Sequence, residues 1–394
     1  MANSTIRIYN SFTEVRQNVK TSSPHQIYFP QDLYNQIMPG SINLEGVKIT
    51  STNAILKEND LEGKLIHIKK DSGVKTVQMI RSRDTLVQDL ETLRYFHVDR
   101  SQIEYSEIPE ETGTEVTFTL EKEGLAVLSY LMYGITWNPK YSLNINGEEH
   151  TFEGWAHINN ATQKNFTIEK TEILGGDVNT VSEHVASYGN IERMCVKSAP
   201  SVVSSEEVSG LYMYSINDTY TLAPRSTFSL PFSNPSIELR KVALMQSNFC
   251  NNNNKGQSSK VYRIKSDKFL PSGTVTIRED GRVVGQASLS DLSANENCDL
   301  NVGNDPEVSY TREVTTVKHE EDQSEYSVKI KVKNNKTRVI NFEFVETFYS
   351  RFNFIPLDEN EFNIVFSNDY IKAVGAIKPN TEKSFSYKAE VFNN

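Results

Sequence analysis

Apolar and polar residues alternate with a period of two along most of this chain. Glu115–Leu120 (E-V-T-F-T-L) alternates cleanly, and Ser384–Phe392 (S-F-S-Y-K-A-E-V-F) does so near the C-terminal end. Leu65–Lys69 and Val74–Ile80 flank Asp71-Ser72-Gly73, which predicts a hairpin. Thr274–Arg278 and Arg282–Gly285 flank Asp280-Gly281, a pair suited to a type I′ turn because glycine tolerates positive φ. Tyr326–Val332 and Thr337–Glu346 flank a further turn-former, Asn334-Asn335. Strands with one apolar and one polar face belong to antiparallel sheets with one buried side. The pattern therefore predicts an all-β protein of antiparallel β-sandwich domains with few short helices.

Other patterns refine this picture. The most apolar run, Gly124–Ile135, is too short to span a bilayer as a helix, which needs about 20 residues. It reads as one or two buried strands. Leu86, Leu90 and Leu93 stand at i, i+4 and i+7 behind Asp84, which predicts a helix over Asp84–Arg94. No βαβ rhythm is present, so a doubly wound parallel sheet is not expected. No repeat with a period of about 20–50 residues stands out either. Two segments read as loops, Gly175 to about Gly210 and Asn248–Ser259; within the first, Ser198–Glu207 reads as the most flexible stretch. A Pro and acidic residues at Ile108–Gly113 suggest a boundary. The expected division is an N-terminal β domain over 1–112 and a larger β-sandwich region over 113–394, with a further split near 315.

Composition narrows the partners. The 394 residues fit two to three domains at roughly 150 residues each. With 19 Phe and 18 Tyr the chain is too aromatic for a disordered one. The net charge of −10 argues against a broad nucleic-acid surface and against docking on an anionic membrane. Three scattered cysteines, Cys195, Cys250 and Cys298, form no C-x-x-C pair, as a reducing compartment permits. The N-terminus shows no secretory pattern, so the expected location is cytoplasmic.

Five segments in order resemble a known family. They are Ala126–Ile145, with a W-x-P-x-Y signature at Trp137, Pro139 and Tyr141; Ala156–Thr162; Glu172–Val178, containing Gly176 and Asp177; Phe269–Gln286, containing Pro271 and Gly273; and Leu300–Arg312. They resemble the domain of unknown function at the C-terminus of mucoidy-inhibitor-A-like proteins. With the terminal strands, the resemblance covers about two-thirds of the chain. The family's coiled coil has no counterpart here, so this chain resembles a shorter form. The resemblance implies a sandwich-rich fold and a structural role for those residues. The family brings no established activity, so no catalytic residue carries over.

Candidate chemistry is sparse. Trp137 to Tyr141 could form an aromatic platform for a sugar, but core packing of the two rings is the favoured reading. His67, His97, His150, His157, His184 and His319 form no metal-binding spacing. His97 and Asp99 would share one strand face. Gly175-Gly176-Asp177 reads as a tight turn before a carboxylate site, and Asp305-Pro306-Glu307 reads first as a turn. The acidic run His319–Glu325 lacks the spacing of a calcium loop and reads as a solvated turn. No nucleotide-binding glycine motif or nucleophile elbow exists. No catalytic residue, metal or cofactor is assigned.

Three functions follow as expectations. The first is a non-enzymatic structural or protein–protein interaction component, with a protein partner or self-association, including a subunit of a viral particle or intracellular lattice. The second is a glycan- or cell-surface-associated module. The third is a hydrolase using His97, Asp99, Asp177 or Asp305. The loop at 175–210 and the Asn run at 251–254 are the expected contact regions.

Overall fold

A computed structural model describes residues 4–57, 61–70, 73–105, 111–176, 202–208, 211–355 and 362–392. These are almost entirely β-strand, in sheets of eight, five, three, five and nine strands. The all-β expectation holds, and the alternation explains it. Along Ile135–Asn146, for example, burial switches at nearly every residue, with Trp137, Tyr141, Leu143 and Ile145 facing inward. Asp280 and Gly281 adopt φ of 47° and 77°, the two positive values a type I′ turn demands.

Two sandwiches follow one another along the chain, and they repeat the same wiring. In sandwich one the first strand is Ser4–Ile8 and the second Thr13–Lys20. The third is Leu125–Met132, which resumes as Ile135–Asn146. The fourth is Glu149–Asn160, the fifth Phe166–Gly175, the sixth Leu211–Ile216 with Tyr220–Leu222, and the seventh Ser226–Ser233. In sandwich two the corresponding strands are Ile237–Asn248, Asn254–Ser266, Asn297–His319, Gln323–Asn334, Ile340–Thr347, Tyr370–Ile377 and Thr381–Phe392. In both, the first strand pairs antiparallel with the second and parallel with the fifth. In both, the second pairs with the third, the third with the fourth, the fourth with the seventh and the fifth with the sixth, all antiparallel. Registers agree as well: Ile135 lies opposite Asn160 and Asn160 opposite Ser226, as Val308 lies opposite Asn334 and Asn334 opposite Thr381.

The same side-chain pin closes each sandwich. Asn160 and Asn334 are fully buried at the end of the fourth strand. Asn160 Nδ2 donates to the carbonyls of Lys164 at 2.9 Å, Leu222 at 3.3 Å and Ala223 at 2.9 Å. Asn334 Nδ2 donates to those of Arg338 at 2.9 Å, Ile377 at 3.1 Å and Lys378 at 3.1 Å. Each amide thus ties the turn after the fourth strand to the end of the sixth. A proline follows in both, then a residue at positive φ: Arg225 at 48° and Asn380 at 52°. Ser226 and Thr381 then cap the carbonyls of Ala223 and Lys378.

Each sandwich carries an insertion between its second and third strands. Both insertions begin and end with two strands paired antiparallel. In sandwich two these are Gly273–Glu279 and Arg282–Leu289. In sandwich one they are His25–Pro30 and Gly113–Leu120, with Ile49–Lys57 on the far side of the latter. Lys57 lies opposite Gly113, so the chain leaves and re-enters this sheet at one point. Between them stands a small five-stranded sheet whose core is Ile66, Ile68, Val77, Met79 and Val87. The large core of sandwich one also takes in Tyr262, Ile264 and Leu300 from sandwich two. The second core, of Val328, Phe342, Phe344, Phe385 and their neighbours, belongs to sandwich two alone.

Several expectations need correction. Asp84–Arg94 is not a helix: Leu86–Asp89 is a strand, and Leu93 sits at φ 55° in the turn beyond it. Leu90 and Leu93 are exposed, whereas Val87 fills the small core and Asp89 meets Lys75 at 2.6 Å. The two-residue period of Val87 and Asp89 therefore overrides the leucine spacing. Asn334-Asn335 does not close a hairpin, because Gln323–Asn334 pairs with Asn297–His319 and Thr381–Phe392, and Ile340–Thr347 with other strands. Asn254–Ser259 is not loop but the start of a strand whose backbone pairs on both sides. Within the expected loop at 175–210, Val202–Val208 is a strand paired with Leu211–Ile216, and 177–201 lie outside the described residues. Strand pairing runs across residue 112, and residue 315 lies inside Asn297–His319.

Asn334→Ala is expected to lower unfolding stability by on the order of 3 kcal/mol, because three carbonyls at a buried amide lose their donor. Asn160→Ala is expected to do the same, and exposed Asn335→Ala to change little. Urea titration of the three variants checks this, and equal stabilities would remove the pin from the account.

Candidate functional site

The predicted site residues fall into separate places. Trp137 and Tyr141 are 1% and 2% exposed, so neither ring offers a face to solvent. Trp137 Nε1 donates to the Leu174 carbonyl at 3.1 Å, and its ring meets Phe232 edge-on at 5.6 Å. Tyr141 donates its hydroxyl to the Pro271 carbonyl at 2.7 Å, and burial pushes its phenol above the usual range. A Cβ at Gly273 would stand 2.5 Å from the Pro139 carbonyl oxygen, so glycine permits the close approach of two strands there. Gly176, at φ 107°, accepts from Asn10 Nδ2 at 3.3 Å. Asp177, His184 and Cys195 lie outside the described residues.

His97 and Asp99 do not share a strand face, because the strand ends at His97 and Asp99 caps the 3-10 turn Arg100–Gln102, and they engage different partners. His97 Nδ1 is 2.9 Å from the Asp84 carbonyl. Asp99 accepts from Ser101 N at 2.9 Å and Ser101 Oγ at 2.7 Å, and these bonds lower its carboxyl pKa. His67, His150, His157 and His319 each face a hydroxyl or carbonyl partner. Within the run from His319 to Glu325, Glu320–Asp322 form the turn and the flanking residues pair as the ends of two strands. Cys250 is exposed and Cys298 half-buried, and burial raises the Cys298 thiol. Among the described residues no three His, Cys, Asp or Glu side chains are grouped to hold a metal ion.

Asp305 lies elsewhere, in a cleft of about 630 Å³ where the two sandwiches meet. It pairs there with Lys336 at 2.6 Å, and both are largely buried. Glu279 accepts from Tyr262 at 2.9 Å and pairs with Lys241 at 2.7 Å. Burial pushes Glu279 upward, but the bonds from Lys241 and Tyr262 outweigh it and hold the carboxyl below its usual range. Asp305 and Glu279 thus each carry a cation, and His150, the one histidine among the described lining residues, has Nε2 2.9 Å from the Ile237 carbonyl. The Asp305–Lys336 pair lies within sandwich two, and the Lys241–Glu279 pair ties sandwich two to the hairpin that extends the sheet of sandwich one.

Sequence reasoning missed a second charged group. Arg312 and Glu346 lie 2% and 0% exposed inside sandwich two, with Nε 2.9 Å from Oε1. Tyr387 donates to the other carboxylate oxygen, and Ser247 Oγ lies 3.3 Å from Oε1. Burial pushes the Glu346 carboxyl up. Arg312 occupies the register position that Pro139 takes in sandwich one. A charged residue on an alternating strand reads as outward-facing, and only the facing strands show otherwise.

Backbone edges are the other available surface. The Gly273–Glu279 strand belongs by chain order to sandwich two, yet it pairs parallel with sandwich one, from Lys140 opposite Thr274 to Ile145 opposite Glu279. Asp280 N–H adds a bond to the Ile145 carbonyl at 2.9 Å. One sandwich thus completes the sheet of the other by adding a strand. Ile49–Lys57 forms a further edge, with Ile55 and Leu56 exposed. Comparison with protein-family models and with curated proteins finds no match to this chain.

Two outcomes test these groups. Arg312→Met leaves Glu346 buried without its cation and is expected to destabilise by about 3–5 kcal/mol in chemical denaturation. Glu279 is held low in the folded state, so its contribution is complete at neutral pH and fades as pH falls below 4.5. The stability difference between wild type and Glu279→Gln should therefore narrow with acid, and a constant difference from pH 7 to 3 would contradict it.

Proposed function

We propose that this chain is a non-enzymatic structural or protein–protein interaction component that joins its neighbours through β-strand edges, as a subunit of a larger assembly. The parallel pairing of Lys140–Ile145 with Thr274–Glu279 carries this reading. It is strand addition between two folded modules, the mode by which sheets recruit partners. The burial of Trp137 and Tyr141 weighs against a glycan platform at that motif. The separation of His97 and Asp99 from Asp305, each with its own partner, weighs against a hydrolase built on them.

Light scattering on the purified chain, from dilute to concentrated solution, tests the proposal. The molar mass is expected to rise with concentration. A mass that stays at the monomer value throughout would set self-assembly aside.

A further inference from the structure

The internal duplication specifies what the open end of sandwich two should bind. In sandwich one, the third strand from Lys140 to Ile145 is covered by the first strand of the next sandwich's insertion. The register places Glu313–Thr316 of sandwich two at the positions of Lys140–Leu143, because Pro139 and Arg312 correspond, and a bulge between Thr316 and Lys318 shifts the remainder by one residue. Glu313–Lys318 pairs with Gln323–Asn334 on one side. On the other side, pairing with Asn254–Ser266 stops at Arg312. Beyond it, Asn253 Oδ1 holds the Val314 N–H at 2.7 Å, and no strand covers the rest among the described residues. Val317 is 49% exposed there.

The matching strand stands at the opposite end of the chain. The insertion of sandwich one opens with His25–Pro30, the counterpart of Gly273–Glu279. It is six residues long and pairs with Gly113–Leu120, and its other edge has no strand partner among the described residues. The rule inside the chain is that the insertion of the following sandwich covers the third strand of the preceding one. Applied past the ends, it makes the two free edges complementary. Both ends would otherwise leave backbone N–H and C=O groups to water, the usual liability of edge strands.

We infer that a second copy of this chain docks head to tail, its His25–Pro30 strand adding parallel to Glu313–Lys318 of the first. This rests on the assembly reading above. The contact is heterologous, so each bound copy presents a fresh edge and the assembly grows as a ring or filament.

The full-length chain tests this by light scattering and amide hydrogen exchange across concentrations. As the mass rises, exchange in 25–30 and 313–318 is expected to slow together, by about tenfold or more. Val314 N–H points to the open side, so Thr316 N–H, two residues on, does too. Thr316→Pro removes that donor and leaves the pairing with Gln323–Asn334 intact. This variant should remain monomeric with an unchanged melting temperature. Its own His25–Pro30 strand stays available, so adding it to wild type should cap growing ends and lower the mean mass. A wild type that associates without protection of either segment, or whose mass Thr316→Pro neither reduces nor caps, overturns the head-to-tail contact and leaves the assembly reading standing. A wild type that never associates overturns both.

Discussion

A β-strand must pair its backbone N–H and C=O groups or leave them to water, and this obligation shapes every level of the molecule. Within each sandwich it is met by the same set of pairings, including the parallel contact between first and fifth strands. Where a fourth strand ends, Asn160 or Asn334 supplies donors to carbonyls of the turn beyond it and of the end of the sixth strand. A primary amide suits this place because one nitrogen carries two hydrogens while the oxygen still accepts from the turn. Thr162 N–H and Lys336 N–H fill that last role.

The two sandwiches have diverged where packing allows it. Sandwich one uses Trp137, Tyr141, Phe152 and Phe232 as an aromatic cluster. Sandwich two puts Arg312, Glu346 and Tyr387 in its interior. Tyr387 falls near Phe232 in the shared wiring, so a ring that packs in one copy donates a hydrogen bond in the other. Their insertions diverged further. The insertion is a simple hairpin in sandwich two and a sheet with a small unit inserted in it in sandwich one. The long Asn297–His319 strand contributes to both cores, through Leu300 to the first and Val308 to the second, so the sandwiches are joined by a continuous strand as well as by the added hairpin.

The duplication left a readable trace in the sequence. Asn160-Ala-Thr-Gln-Lys164 stands against Asn334-Asn-Lys-Thr-Arg338, and Leu222-Ala-Pro-Arg-Ser226 against Ile377-Lys-Pro-Asn-Thr381. These fragments are short, and their copies lie more than 150 residues apart, beyond the reach of a search at solenoid periods. Asp305 was legible as a carboxylate but not as a cleft residue, since its neighbour Glu279 comes from the hairpin and its partner Lys336 from a later turn. Trp137 and Tyr141 were legible as core residues because aromatics at alternate positions of an apolar strand face one layer.

The sequence by itself determined the strands, most of their faces and the Asp280-Gly281 turn. Alternation and turn chemistry act between near neighbours, and these are the interactions a linear pattern records. It failed at Leu86, Leu90 and Leu93, where two periods competed and the small core decided. Only the tertiary structure decided which strands pair. Ser4–Ile8 lies beside Phe166–Gly175, and Gly273–Glu279 beside Ile135–Asn146, through backbone groups identical in almost every residue. Such groups write no partner into the sequence. The pairing, the duplicated wiring and the open edges are consequences of packing whole faces together.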